Sequence, residues 1–272
     1  MKVLGIVASF RRRISLFAIV VLLLAAGNAG MLCAAITQWP SQYLSGVAPD
    51  IKNLKLVART RELGFDNYAV MHSGVTKSPL WAAEHLTRQN LLSAEGLERR
   101  NSFHPEEQLP ASDRAELRDY AKSGFDRGHV APNADMPSER AQEQCFSLAN
   151  MIPQNPDNNR HVWAAIESSV RNMVKSGGDL YVISGPLYLG KTLSQLNGRV
   201  FVPTNMFKIV YDPRTKRGAA YYVNNEQGDG WQVLSISQIE KLAGINFFPN
   251  LSLAAKDLKL MLPDPMEHTR HY

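Results

Sequence analysis

Short apolar runs separated by turn residues dominate the chain, and one long amphipathic stretch interrupts them. Residues 54–58, 68–72 and 80–86 are such runs, broken by Gly64, Asn67 and the Ser73-Gly74 pair, which predicts an antiparallel meander. Residues 180–183, 199–203, 206–211 and 219–223 repeat the pattern, and 146–152 reads as a buried strand ending at Pro153. Between these groups, residues 158–176 carry Val162, Trp163, Ile166, Val170 and Val174 close to a 3.6-residue period. That spacing predicts the main helix, with Asp157 as its N-cap and Gly177-Gly178 as its stop. A short helical turn starts at 137–140, and the capping-box pattern at 237–240 predicts another helix, closed by Gly244. Residues 36–52 lack periodicity and read as a lead-in coil. Residues 91–120, charged and poor in periodic apolar positions, read as a long loop. The pattern describes one α+β domain over 53–262, a central antiparallel sheet flanked by helices, with a C-terminal tail at 263–272.

Residues 1–35 follow another logic. Lys2 and Arg11, Arg12 and Arg13 precede an apolar run at 14–26, and Gly27-Asn28-Ala29 supplies small residues suited to cleavage. The run is shorter than the roughly 20 apolar residues that cross a bilayer, so it reads as an export signal and the product as periplasmic or secreted. Because 30–36 stay apolar, a signal anchor that keeps the protein on a membrane through residues 14–26 is the alternative. This segment also carries most of the net charge of +5: without it 26 basic residues face 25 acidic ones, and bulk charge names no partner. Cys33 and Cys145 are the two cysteines, which is no disulfide framework, and Cys145 reads as an inert packed thiol.

The densest chemistry lies at 124–136, where Asp126, Arg127, His129 and Asp135 fall among glycines and prolines. On the predicted helix, Asn159, Trp163 and Glu167 recur every four residues, an arc of about 80° at about 100° per residue. An amide oxygen and a carboxylate thus share one face with an indole between them. A histidine can serve as general base toward water. An amide oxygen plus waters suits Mg²⁺, and an arginine fork matches charge developing on phosphate oxygens. Asp126 reads as the anchor of its turn and Asp135 as a surface or helix-capping residue. Lys191, Lys208, Arg214, Lys216 and Arg217 read as solvated surface, each able to rim a phosphate site. His104, His161, His268 and His271 lack partners at useful spacing.

Asp126-Arg127-Gly128-His129 followed by Ala131-Pro132, then Asn150 to Gln154 (Asn-Met-Ile-Pro-Gln), then Asn159, Trp163 and Glu167, resembles the DNA/RNA non-specific endonuclease family. The Lys77-Ser78-Pro79-Leu80-Trp81 segment and residues 239–249 extend the likeness over roughly 55–250. The resemblance implies the ββα-metal (His-Me finger) fold and hydrolysis of DNA and RNA. It implies His129 as general base, Asn159 as the direct ligand of a hydrated Mg²⁺ for which Mn²⁺ can substitute, and Glu167 as holder of metal-bound waters. Arg127 and a second arginine would bind the scissile phosphate. The second is Arg99, which precedes Phe103 and Glu106 as the family pattern asks, with Arg100 as its neighbouring alternative. Asn150 would tie down the strand facing His129, and Asn158 is the alternative amide ligand. An inhibitor protein is a further expected partner, and a non-catalytic nucleic-acid-binding module the rival function.

Overall fold

The computed structural model describes residues 37–265. Residues 1–35, read above as an export signal or anchor, with the apolar run and Cys33, and the end of the tail with His268 and His271, lie outside the described residues. In chain order the strands are β1 (Asp50–Ile51), β2 (Thr60–Gly64), β3 (Ala69–Ser73), β4 (Ser78–Leu86), β5 (Asp126–His129), β6 (Met151–Gln154), β7 (Leu180–Leu187), β8 (Gln195–Leu196), β9 (Val200–Phe201), β10 (Asn205–Asp212), β11 (Arg217–Asn224), β12 (Trp231–Leu234) and β13 (Ile245–Asn246). The helices are α1 (Arg88–Ala94), α2 (Leu117–Tyr120), α3 (Glu139–Cys145), α4 (Pro156–Asn158), α5 (Ala164–Gly177), α6 (Ile236–Ala243) and α7 (Leu253–Asp257). Among the described residues no helix is long and apolar enough to cross a membrane.

Seven strands form one antiparallel sheet in the order β12-β11-β10-β7-β4-β3-β2. Its strands alternate, so each face receives a separate apolar set. Val70, Ala82, Val182, Met206 and Val210 pack against Val162, Trp163, Ile166, Val170 and Val174 of the long helical segment. Trp81, Ala83, Ile183, Phe207 and Ile209 meet Tyr43, Ile236, Ile239 and Phe247 on the other face. Each large side chain removed from water contributes about 1.5–3 kcal/mol, so the long helix is fixed on the sheet by its apolar stripe. Its polar stripe is thereby presented on the side of β5 and β6, which pair with each other outside the main sheet.

Several elements differ from the sequence pattern for identifiable reasons. The described lead-in, residues 37–52, is not coil: Pro40–Gln42 and Leu44–Gly46 form 3₁₀ turns, Tyr43 is buried, and β1 pairs with β13. Tyr43 donates to Glu62 Oε1 at 2.8 Å, so an aromatic anchor rather than periodicity orders the segment. The first strand of the seven-stranded sheet is β2, while Leu54–Leu56 is a 3₁₀ turn with Leu54 exposed. Residues 91–120 begin within α1 and end in α2, whose Glu116 and Asp119 form a capping box. The intervening loop is pinned through Asp113 by Arg59, and α2 is held through Asp119 by Arg199, whose Nε lies 2.9 Å from Oδ1.

The predicted strand at 146–152 gives way to a 3₁₀ turn, Leu148–Asn150, before β6. Pro153 lies inside β6, opposite Arg127, because an edge strand of a two-stranded ribbon does not need that N–H. The N-cap of the helical segment is Asn155 rather than Asp157: its side chain accepts from the backbone N–H of Asp157 and Asn158 with Pro156 following. At the other end of the chain the capping box is Ser235 with Gln238, two residues earlier than predicted, and Gly244 closes α6 in the left-handed region (φ +68). β12 and α7 had no counterpart in the apolar pattern, being short and flanked by polar residues.

The ribbon β5–β6 depends on a close approach at Gly128, where a Cβ would lie 2.0 Å from Gln154 Oε1 and 2.7 Å from its Cβ. Gly128→Ala is therefore expected to destabilise the protein by about 1–3 kcal/mol, as overpacking does. Urea unfolding of the two proteins measures it, and an unchanged midpoint would show that the ribbon can separate without cost.

Candidate active site

β5 leads directly into the site. Beyond His129, the backbone is held by one buried side chain: Asn150 Oδ1 accepts from Ala131 N (2.9 Å), while its Nδ2 donates to Ala131 O (2.9 Å) and Cys145 O (3.0 Å). The Asn150 carbonyl also accepts from Val130 N at 3.0 Å. Asn150 is fully buried, so it acts on the site by fixing the chain that carries His129. Cys145 is buried alongside, its thiol pushed up to about 12 chiefly by burial, as expected of a packed cysteine.

A cavity of about 550 Å³ is lined by Arg99, Arg127, His129, Asn159, Glu167 and Arg171, among others. Arg100 is directed elsewhere: it lines a separate cavity with Glu139, 3.8 Å away. Phe146 stands edge-on to the His129 ring at 4.9 Å between centroids, and Phe103 lies 5.7 Å away. His129 is only 9% exposed, and its Nε2 is buried without a hydrogen-bond partner. Burial, aided by the positive charge of Arg99, lowers its pKa to about 3, so the imidazole is neutral at ordinary pH.

The two arginines are held without carboxylates. The Arg127 guanidinium lies 4.1 Å from the centroid of Phe103, and that of Arg99 lies 5.3 Å from Phe146. Arg99 Nε donates to Asn101, and neither arginine has an ion-pair partner among the described residues. Aromatic faces can position a guanidinium while leaving most of its N–H fork free. Glu106, which the family pattern places near this arginine, is buried away from the cavity and accepts from Ser147 Oγ at 2.7 Å.

On the helical side, Asn159–Trp163 forms a π turn between α4 and α5, a local widening often found at functional sites. Asn159 Nδ2 donates to Asp126 Oδ2 at 2.9 Å, which leaves its Oδ1 as the free acceptor of the amide. Arg160 grips the same carboxylate with Nε to Oδ2 (2.9 Å) and Nη2 to Oδ1 (2.8 Å). Burial pushes Asp126 up, but hydrogen bonds from Arg160 and Asn159 prevail and hold it below the usual carboxylate range. Asn158 is used elsewhere: it donates to Asn224 O at 2.9 Å and accepts from Gln154 Nε2 at 3.0 Å.

Glu167 is pushed up to about 7 by burial, with Lys208 and Arg171 drawing it down and Asp135 raising it. Two residues around it correct the sequence reading. Asp135 is 5% exposed rather than on the surface, and its Oδ1 accepts from Arg171 Nη1 at 3.0 Å. Lys208 is 1% exposed rather than solvated: its Nζ donates to Ser184 Oγ at 2.7 Å and lies 5.3 Å from the Trp163 ring. Lys191, Arg214, Lys216 and Arg217 are exposed, and His161 pairs with Asp157 away from the cavity. Arg171 was missed, although it continues the four-residue stripe Asn159, Trp163, Glu167 by one step. Lys208 also had a signal, for it shares a strand face with Met206 and Val210.

The arrangement is a neutral imidazole, two unpaired guanidinium groups and an amide oxygen beside a carboxylate, in one cavity at the junction of a two-stranded ribbon and a helix. These are the parts of a phosphodiester hydrolase of ββα-metal architecture. The comparisons agree. A family model described as DNA/RNA non-specific endonuclease matches residues 51–254. Nuclease C1 of Cunninghamella echinulata var. echinulata is 34% identical over 209 residues, covering 70% of this chain and 83% of its own length. The mitochondrial nuclease EXOG of Danio rerio is 34% identical over 209 residues, and this chain spans 60% of its length. A crystal structure of the EndoG/EndoGI complex superposes with a TM-score of 0.65 at 25% identity, covering 70% of this chain and 86% of that one. The chain belongs to the DNA/RNA non-specific endonuclease family and is a nuclease with the α+β fold of that family.

The environment of His129 has a defined pH signature. A histidine near pKa 6.5 when unfolded and about 3 when folded binds fewer protons in the native state between those values. Its contribution to stability is present above about pH 6.5 and is lost as pH falls toward 3. Removing the Arg99 charge favours the imidazolium, so Arg99→Gln is expected to move the His129 ring titration, followed by NMR, to higher pH. A midpoint unchanged from wild type would mean that the Arg99 charge is not felt at the ring.

Proposed function

We propose that the protein is an exported, Mg²⁺-dependent nuclease that hydrolyses DNA and RNA with low sequence preference. The observation that carries this reading is the pair of carboxylate-free arginines facing a neutral histidine in one cavity. Arg127 and Arg99 bind the non-bridging oxygens of the scissile phosphate and stabilise the charge that builds there. His129 takes a proton from the attacking water as the new P–O bond forms and the bond to the leaving ester oxygen breaks. Its position depends on Asn150 and on Phe146.

The donor set fits a hydrated divalent ion: Asn159 keeps a free amide oxygen at the cavity beside Glu167, and among the described residues no group of three or more His, Cys, Asp or Glu side chains is arranged to hold a metal directly. Asn159 Oδ1 would be its protein ligand and Glu167 would accept hydrogen bonds from its waters, with Mn²⁺ able to replace Mg²⁺. Such an ion supplies Lewis-acid stabilisation of the phosphate and of the leaving oxygen. Asp126 is excluded from this role because Arg160 and Asn159 already occupy its oxygens. Contacts to phosphate carry no base information, which accounts for acceptance of both nucleic acids.

Export rests on the charge and apolar pattern of residues 1–35, with anchoring through 14–26 as the other outcome. The similarity to EndoG in its complex with EndoGI supports an inhibitor protein as a partner.

Supercoiled plasmid and RNA incubated with the full chain test the reading. His129→Ala is expected to lower the rate about 10²–10⁴-fold while leaving oligonucleotide affinity, read by fluorescence anisotropy, nearly unchanged. Retained rate with lost affinity would remove His129 from the chemistry. Asn159→Ala is expected to abolish the stimulation of cleavage by Mg²⁺, and a metal response equal to wild type would exclude it as the ligand.

A further inference from the structure

A second cavity, of about 640 Å³, is lined by Phe125, two positions before Arg127 of the active site. Its walls come from the start of β10 (Asn205), the end of β11 (Asn224), Glu226 and the loop bearing Thr192 and Ser194. None of its lining residues is a lysine or arginine. A phosphate has no counter-charge here, and Glu226 would repel one. What the cavity does offer is an aromatic residue, amides and hydroxyls, the groups that stack on bases and hydrogen-bond base edges and sugar hydroxyls.

The cavity is also tied firmly to the catalytic elements. Asn225 Oδ1 accepts from the backbone N–H of Asn155, the N-cap residue before α4, at 2.8 Å. Its Nδ2 donates to Pro153 O of β6 and to Pro203 O, both at 2.9 Å. Asn205 Nδ2 donates to Asn224 Oδ1 at 2.6 Å, and Asn224 Nδ2 to Glu226 Oε1 at 2.8 Å, so the amides stand in a fixed row. Two residues of strand separate Phe125 from Arg127, about 7 Å at roughly 3.3 Å per residue. A nucleic-acid strand advances about 3.4 Å per stacked nucleotide, which puts the cavity one or two nucleotides from a phosphate held by Arg127.

We propose that this cavity is a nucleotide subsite, holding the sugar and base of a nucleotide that flanks the scissile phosphate. The inference rests on the nuclease reading above and adds the extent of strand that the protein grips. Phe125 supplies the stacking face and the row of amides supplies hydrogen bonds that any base can use, so the subsite adds affinity without sequence preference.

The test uses fluorescein-labelled thymidine oligonucleotides of two, four and six residues, titrated by anisotropy in EDTA into the full chain, wild type, Phe125→Leu and Ser194→Glu. Phe125 also packs beside Tyr120 and Val202; leucine keeps that apolar contact, and circular dichroism checks the fold of each variant. Ser194 lies on the exposed loop, where glutamate adds a charge to the cavity without disturbing the core. Wild type is expected to bind the tetramer and hexamer more tightly than the dimer, and both variants to lose about 5-fold or more of affinity for the longer oligonucleotides with little change for the dimer. The same loss at every length, or none, would overturn the subsite. Cleavage of plasmid by wild type is scored in parallel: binding with the expected length dependence but no cleavage would overturn the nuclease reading alone, and cleavage with unchanged variant affinities would overturn the subsite alone.

Discussion

One carboxylate joins the two halves of the site. Asp126 starts the strand that ends in His129, and its oxygens are taken by Asn159 and Arg160 from the π turn of the helical segment. Strand and helix pack on different neighbours, the strand on β6 and the helix on the sheet. Without a direct link their separation would follow from those packings alone. The Asp126 link also sets the amide: by engaging Nδ2 of Asn159, it leaves the oxygen as the free end. The short, charged Asp126-Arg127-Gly128-His129 run is thus a structural joint and a chemical site at once, with Gly128 allowing the close contact with Gln154 that holds the strand in place.

Electrostatics divides the site by depth. On the substrate side, Arg99 and Arg127 rest on phenylalanine rings and keep their charge unpaired. At the helix, Glu167 and Arg171 of the cavity lining meet Asp135 and Lys208, and Glu84 adds a third, fully buried carboxyl whose oxygens have no hydrogen-bond partner. Burial holds Glu84 well above the usual carboxylate range, with Asp135 and Glu167 adding to the effect against Lys208 and Arg171. Charging Glu84 would leave a further anion without a hydrogen-bond partner in the interior, which is the physical cause of that upward shift. Asp135 is engaged by Arg171 and Lys208 by Ser184, and Arg99 and Arg127 stay free of carboxylates.

The main helix, the meander and the cavity-lining Asp126–His129 run were legible because each follows a local rule: a 3.6-residue period, short apolar runs between turns, a cluster of reactive side chains beside glycine. The parts that were not legible are those decided by contacts between distant residues. Asp135 looks like a surface acid until Arg171 is brought against it from α5, and Lys208 looks solvated until β10 is placed at the centre of the sheet. Residues 37–52 have no period, yet Tyr43 buries on the back of the sheet and bonds Glu62 nineteen positions away. Asn155 and Asp157 both fit an N-cap by residue type, and only the backbone geometry before Pro156 distinguishes them. Between Arg99 and Arg100 the sequence offers almost no basis for choice. The fold sends one into the cavity of His129 and the other toward Glu139.

The same contacts explain why an amide rather than a carboxylate is left facing the cavity. A carboxylate at position 159 would stand within hydrogen-bond distance of Asp126, and two anions so close would have to share a proton or separate. With asparagine the pair becomes a donor and an acceptor, and the free oxygen faces the cavity carrying no net charge. A neutral ligand binds a divalent ion weakly and leaves most of its hydration in place, so in the proposed mechanism water, rather than protein, fills the remaining positions. Glu167, raised to about 7 by its burial, would in that mechanism hold those waters through hydrogen bonds instead of through direct ligation. In that mechanism the charge that meets the phosphate would lie on two arginines and a hydrated ion.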